Sequence, residues 1–91
     1  MSDIALNDLQ FDVIDCLYFV EPYANILEDV GKPEPIVRDE LRTLIDRGYV
    51  NVLIFEESSG DYVKTSIFDS DNMQDYFYLA SKDGLLKHNG F

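Results

Sequence analysis

The sequence predicts a single α+β domain, residues 1–91, in which three helices precede a β-hairpin and a short C-terminal helix. Three observations predict this fold class. Apolar residues recur at helical spacing through most of the first half of the chain. After Gly48 the chain turns β-branched and aromatic in two short runs, and a glycine-containing loop separates these runs. The 91 residues can bury one modest core, and no repeat or linker marks a second domain.

The first helix is predicted to run to about Val20, with Ser2 or Asn7 as its N-cap. Its main apolar stripe consists of Leu6, Leu9, Val13, Cys16, Leu17 and Val20. A second stripe, on another side of the helix, consists of Phe11, Ile14 and Tyr18. Because a helix that is apolar on two sides is buried by more than one neighbour, we expect the second stripe to contact either a second copy of the protein or the hairpin.

Proline and glycine delimit the second and third helices. Pro22 suits a first helical turn and Gly31 suits a helix end. A stiff turn at residues 32–35 then leads into the third helix, which ends at Gly48 in a left-handed C-cap. The apolar face of this third helix consists of Val37, Leu41, Leu44 and Ile45.

The remaining elements are short. Strands are predicted over residues 49–55 and 62–68, with a connecting loop at residues 56–61, and residues 76–80 form a candidate third strand. Ser81 is placed to cap a final helix over residues 82–88, which stops at Asn89 and Gly90.

This order of elements resembles the winged helix-turn-helix transcriptional regulators over nearly the whole chain. Two segments carry the resemblance to the multiple-antibiotic-resistance and phenolic-acid-repressor types. Residues 41–50 are similar to the end of their recognition helix, and residues 76–86, YFYLASKDGLL, look like the tyrosine-rich strand, Lys-Gly and leucines that close their wings. The resemblance implies a recognition helix at residues 33–48 and a hairpin wing. The chain departs from these families because it lacks their long dimerisation helices and has an acidic wing tip.

The charge is strongly negative and unevenly distributed. The chain has 18 acidic and 7 basic residues, a formal net charge of −11. Residues 1–31 contain seven acids and no base, residues 32–48 are neutral, and residues 49–91 have a net charge of −4. The third helix is therefore the least negative part of the surface.

Four cations are candidate nucleic-acid contacts, because arginine pairs bidentately with guanine in the major groove: Arg38, Arg42, Arg47 and Lys64. The alternative is that neighbouring carboxylates occupy the helical arginines. Glu34 lies four residues before Arg38, and Asp46 lies four after Arg42, the spacing of helical ion pairs. On this alternative, Arg47 lies along the core with its charge in water.

The negative charge of the predicted hairpin tip disfavours DNA binding. A wing approaches the phosphate backbone, where lysine and arginine are favoured and carboxylates are repelled. Here the tip contains Glu56, Glu57 and Asp61, with only Lys64 to offset them. We therefore expect weak binding to generic DNA.

A protein partner or a homodimer is the favoured interpretation. A basic partner would be attracted to the base-free first segment, which includes Asp8, Asp12 and Asp15. The second stripe of the first helix, Phe11, Ile14 and Tyr18, is the candidate apolar part of this partner surface. A sequence-specific DNA-binding regulator is the alternative function.

Metal-binding, catalytic and ligand-binding functions have little support in the sequence. One cysteine and one histidine make neither a zinc site nor a thiol–imidazole pair, and no enzymatic activity, cofactor or small-molecule ligand is expected. Residues 69–72 are interpreted as an Asx-rich turn, because a calcium loop lacks its glycine and terminal acid there. A buried Cys16, no signal peptide and no membrane span predict a cytoplasmic protein.

Overall fold

The computed structural model describes residues 5–90. Within this range the fold is α+β, with four helices and one four-stranded antiparallel sheet. The elements in chain order are α1 (Asp8–Asp15), β1 (Glu21–Pro22), α2 (Tyr23–Val30), α3 (Glu34–Asp46), β2 (Val50–Glu56), β3 (Asp61–Lys64), a 3₁₀ turn (Met73–Asp75), β4 (Phe77–Ala80) and α4 (Lys82–His88). The candidate third strand and the C-terminal helix are thus confirmed.

Local chemistry fixes several helix ends as predicted. The Asn7 side chain accepts the Gln10 N–H at 2.8 Å, and the Gln10 side chain accepts the Asn7 N–H at 3.1 Å, a capping box that begins α1. Gly31 and Gly48 follow α2 and α3 with φ values of 69° and 79°, the left-handed conformation that glycine favours. Ser2, the alternative cap, lies outside the described residues.

The first helix is shorter than predicted. It ends at Asp15 rather than near Val20. The carbonyl of Leu17 accepts the N–H of Ala80 at 2.9 Å, so the chain after α1 is bonded to β4 instead of continuing as a helix. It then forms β1, which pairs with β4. The sequence did not predict β1, because two residues cannot show an alternating pattern.

The sheet order is β1-β4-β2-β3. β2 and β3 form a hairpin whose turn occupies residues 57–60, inside the predicted loop. Residues 65–76 then return and place β4 on the other side of β2. Leu53 consequently lies opposite Lys64 on one side and opposite Phe77 on the other.

The second strand of the hairpin ends early, at Lys64, four residues before the predicted end. The Thr65 hydroxyl accepts the Ile67 N–H at 3.1 Å, which turns the chain out of the ladder. The Asp69 carboxylate then accepts the Asp71 N–H at 2.9 Å, so the Asx turn is confirmed.

Side chains of α1, α2 and α3 pack against one face of the sheet, the inner face, to which Val50, Val52, Tyr78 and Ala80 contribute. Their partners from the helices are Val13, Ile14, Tyr23, Ile26, Val37, Leu41 and Leu44, and Leu17, which lies just after α1, packs with them. Because side chains alternate along a strand, the register places another set on the outer face: Leu53, Phe55, Tyr62, Lys64, Phe77 and Leu79. No helix between residues 5 and 90 combines the length and apolar character that crossing a membrane requires.

Candidate interaction surfaces

The exposed side of α3 is centred on carboxylates. Val37, Leu41 and Leu44 are fully buried, so the helical period places Asp39 and Asp46 in the middle of the opposite side. Both of these residues are exposed. A phosphate backbone approaching this side of α3 would therefore meet negative charge first.

The three arginines of α3 and its C-cap have different surroundings. Arg38 Nη1 lies 3.9 Å from Glu34 Oε1, which confirms this ion pair. The pair predicted between Arg42 and Asp46 is not formed, and no other carboxylate in residues 5–90 lies within ion-pair distance of Arg42. Both groups are exposed, and an ion pair between solvated side chains gains little free energy. Arg47 is exposed at the C-cap.

The hairpin does not add a cation to the α3 surface. Its tip residues Glu56, Glu57 and Asp61 are all exposed. Lys64 lies opposite Leu53 and so projects from the outer face, whereas α3 packs on the inner face. The structure therefore does not bring Lys64 to the same side of the sheet as the predicted arginine contacts.

An open groove of about 560 Å³ separates the start of α1 from α3. It is lined by Asn7, Asp8, Leu9, Ile36, Asp39 and Glu40. The Asn7 side-chain amide spans the groove and donates a hydrogen bond to Glu40 Oε2 at 3.2 Å. With three carboxylates and two aliphatic side chains, the groove favours a cationic over an anionic ligand.

The acids of α1 are exposed, as the sequence indicated, but they are not equivalent. Asp8 lines the groove, and Asp12 faces solvent while its carbonyl accepts the Cys16 thiol at 3.2 Å. Asp15 Oδ1 lies 3.1 Å from His88 Nε2, so this carboxylate is already engaged within the chain.

The second stripe of α1 has a neighbour that the sequence did not predict, namely α4. Ile14 is fully buried in the core. The Phe11 ring stacks on the His88 ring with centroids 4.0 Å apart, and the Tyr18 hydroxyl lies 3.0 Å from His88 Nδ1. Phe11 and Tyr18 nevertheless remain nearly half exposed, so α4 covers this stripe only in part.

His88 has a structural role that the sequence did not predict. Its side chain is 8% exposed, and both ring nitrogens have partners. A single histidine in the last turn of a short helix shows no pattern from which these contacts could have been predicted. His88 thus links α4 to α1 and the residues that follow it, and both of its ring nitrogens are used in these contacts.

Cys16 has an unreactive environment. Burial, and then the negative charges of Asp29 and Asp15, raise the pKa of its thiol to about 11. Cys16 is thus partly buried rather than buried as predicted, and its raised pKa disfavours the reactive thiolate.

A scan against protein-family models, a search of curated proteins and a search of solved structures found no match to this chain. The physical properties of the surfaces described above are therefore what indicate a function.

Proposed function

We propose that this chain is a non-catalytic regulatory module of the winged helix-turn-helix type that recognises a protein partner rather than DNA. One observation carries the proposal: carboxylates occupy both places where such a module approaches a duplex. Asp39 and Asp46 lie in the middle of the exposed side of α3. Glu56, Glu57 and Asp61 lie at the hairpin tip.

The electrostatics of DNA binding make this arrangement unfavourable. Affinity for a duplex comes largely from lysine and arginine, which neutralise phosphates and release counterions. Carboxylates at the same positions repel the phosphates and release no counterions. The net charge of −11 adds a repulsive field over the whole molecule.

A basic protein surface would be attracted by the same negative charges that repel DNA. Asp8, Asp39 and Glu40 line one groove, and Asp12 is exposed farther along α1. Carboxylates in this arrangement speed association with a positively charged partner. Phe11 in α1 and Tyr18 just after it are nearly half exposed, so their rings offer apolar contact area near these carboxylates.

Sequence-specific DNA binding is the second candidate, and Arg42 is the observation that favours it. Arg42 is exposed and has no carboxylate partner among residues 5–90. An arginine free of an ion pair on a recognition helix is available for bidentate contact with guanine. Under this alternative, base contacts outweigh the unfavourable field.

Anisotropy titration of the chain into a generic duplex at about 150 mM salt tests the proposal. We expect binding weaker than micromolar, the tight end of the ordinary non-specific range. Reversal of Glu56, Glu57 and Asp61 to lysine should raise the affinity at least about tenfold, because each lysine adds a phosphate contact at the hairpin tip.

The matched control reverses three exposed carboxylates outside the hairpin, namely Glu28, Asp71 and Asp75. It changes the net charge by the same amount but adds no cation at the hairpin, so we expect a smaller gain in DNA affinity. Micromolar or tighter binding by the unaltered chain would contradict the proposal.

A further inference from the structure

The groove between α1 and α3 combines negative charge with aliphatic area. α1 contributes Asp8 and Leu9 to it, and α3 contributes Ile36, Asp39 and Glu40. Its volume of about 560 Å³ lies within the range of about 300–1,000 Å³ that is usual for ligand-binding clefts. No lysine or arginine is among the residues that line the groove. A ligand that enters it therefore meets carboxylates and aliphatic carbon together.

The carboxylates of the groove are available to a ligand. Among residues 5–90, no group forms an ion pair or a hydrogen bond with the carboxylate of Asp8 or Asp39. Glu40 Oε2 accepts the hydrogen bond of the Asn7 amide at 3.2 Å, which holds the Glu40 carboxylate at the wall of the groove. Because each carboxylate has two acceptor oxygens, all three can still accept hydrogen bonds from a ligand.

The arginines of α3 do not neutralise the groove. Ile36 and Glu40 are four residues apart, so they lie on one side of the helix. Arg38 lies two residues from each of them, and Arg42 lies two residues after Glu40. Helical residues two positions apart do not face the same way. Arg38 is moreover paired with Glu34. The cation that balances the groove therefore has to come from the ligand.

The arrangement suits an extended organic cation better than a metal ion. Within residues 5–90, no three acidic, histidine or cysteine side chains are placed to hold one metal ion, so the three carboxylates are spread over the groove. Ile36 is 48% exposed and adds aliphatic area beside them. Arginine matches both properties, because its hydrocarbon stem packs on aliphatic side chains and its guanidinium has five N–H donors in a planar fork.

A second copy of this chain is a poor source of that arginine. Its Arg42 is three residues from Asp39 and four from Asp46, so it would approach together with both carboxylates. Each copy also has a net charge of −11. Juxtaposed like charges oppose association, whereas a basic protein is attracted by the same groups. The arginine is therefore expected to belong to a different protein.

We infer that the groove between α1 and α3 is the docking site for an arginine side chain of a basic protein partner. The arginine stem packs on Leu9 and Ile36, and the guanidinium donates hydrogen bonds to the carboxylates of Asp8, Asp39 and Glu40. Hydrogen bonds between a guanidinium and carboxylates are charge-assisted and directional, so they select arginine by geometry as well as by charge. This inference rests on the proposed function and specifies the site and the chemistry of the partner.

Selection from a displayed library of random peptides, with the unaltered chain as the bait, tests the inference. The enriched peptides should share an arginine, and their binding should weaken as salt is raised. Replacement of this arginine by citrulline keeps the shape of the side chain but removes its charge, and it should weaken binding at least about tenfold. Replacement by lysine keeps the charge but loses the planar fork, so we expect a smaller loss than with citrulline.

Asp39→Asn should weaken the binding of a selected peptide about two- to fivefold, the effect of losing one exposed ion pair. Asp46→Asn is the matched control, because it removes the same charge from an exposed position of the same helix outside the groove. It should leave binding nearly unchanged. Equal losses in the two variants would mean that the general negative charge attracts the peptide, and they would overturn the inference.

Chemical-shift mapping of a selected peptide on the unaltered chain locates the site without any variant, and shifts should concentrate at Leu9, Ile36 and Glu40. Shifts on the outer face of the sheet, or enriched peptides without arginine, would overturn the inference and leave protein recognition standing. A citrulline peptide that binds as tightly as the arginine peptide would do the same. Failure to enrich any peptide, or a dimer in ultracentrifugation that Asp39→Asn dissociates, would also overturn the inference. Failure to enrich peptides, together with micromolar binding to a generic duplex, would overturn the proposed function as well.

Discussion

Cys16 shows at the scale of one residue how burial and nearby charge set reactivity. Its thiol donates to the Asp12 carbonyl at 3.2 Å, and desolvation, followed by the charges of Asp29 and Asp15, raises its pKa from the usual 9.0 to about 11. The thiolate is the reactive form, and the native chain disfavours it.

We expect the reaction of Cys16 with a disulfide reagent to show a pH midpoint near 11 in the folded chain and near 9.0 in denaturant. The raised pKa means that the native state holds the proton more tightly. The Cys16 thiol therefore contributes fully to the free energy of unfolding below pH 9.0, and this contribution is lost as the pH rises through about 11. Stopped-flow kinetics measures the midpoints, with Cys16→Ser as the background. A native midpoint near 9 would show that the thiol is not shielded.

The residue-scale predictions from sequence succeeded where the contact is local. The pair between Arg38 and Glu34 lies within one helical turn and was predictable from spacing. The same spacing gave the wrong result for Arg42 and Asp46, because water competes for the charges of two exposed side chains. The contacts of His88 span up to about 77 residues of chain, and a one-dimensional pattern does not contain them.

The docking of α4 is the clearest close contact between elements. Ser81 donates its N–H to the Tyr49 carbonyl at 2.9 Å and its hydroxyl to the Gly48 carbonyl at 2.6 Å. Gly84, one turn later, is buried, and a Cβ there would overlap the Tyr49 carbonyl oxygen. The start of α4 therefore rests directly on the backbone between α3 and β2.

Gly84→Ala should destabilise the fold by about 1–3 kcal/mol, the usual cost of overpacking a close contact. This is opposite in sign to the gain of about 1 kcal/mol that alanine gives in an open helix. Urea unfolding measures the change. Lys82→Ala, at an exposed position of the same helix, should alter stability by less than about 0.5 kcal/mol. A stabilised Gly84→Ala would mean that α4 does not pack this closely.

The boundaries of the elements were predictable where proline and glycine set them. Gly31 and Gly48 end α2 and α3 as expected. The end of α1 and the existence of β1 were not predictable, because the hydrogen bond between Leu17 and Ala80 joins distant parts of the chain. The early end of β3 follows from a side-chain turn at Thr65 that competes with the ladder.

At the scale of the whole molecule, the sheet order determines which surfaces exist. β3 and β4 flank β2 on opposite sides, so rings from three strands meet on the outer face. The sequence showed two β-branched and aromatic runs after Gly48 but contained no information on the order of the strands in the sheet. It did predict the acidic hairpin, because the tip is a contiguous stretch of chain. The surface thus has exposed carboxylates on the hairpin and the helices, whereas the outer face of the sheet has aromatic and aliphatic side chains together with Lys64.

The most direct test of the central claim is selection of duplexes from a random DNA pool by the unaltered chain at about 150 mM salt, conditions under which phosphate contacts are partly screened. We predict that no sequence motif is enriched, because the proposed winged-helix module would bring the carboxylates of α3 and the hairpin towards the duplex. A clear motif, with binding to it weakened by about 1–3 kcal/mol in Arg42→Ala, would contradict the protein-partner function and establish DNA recognition in its place.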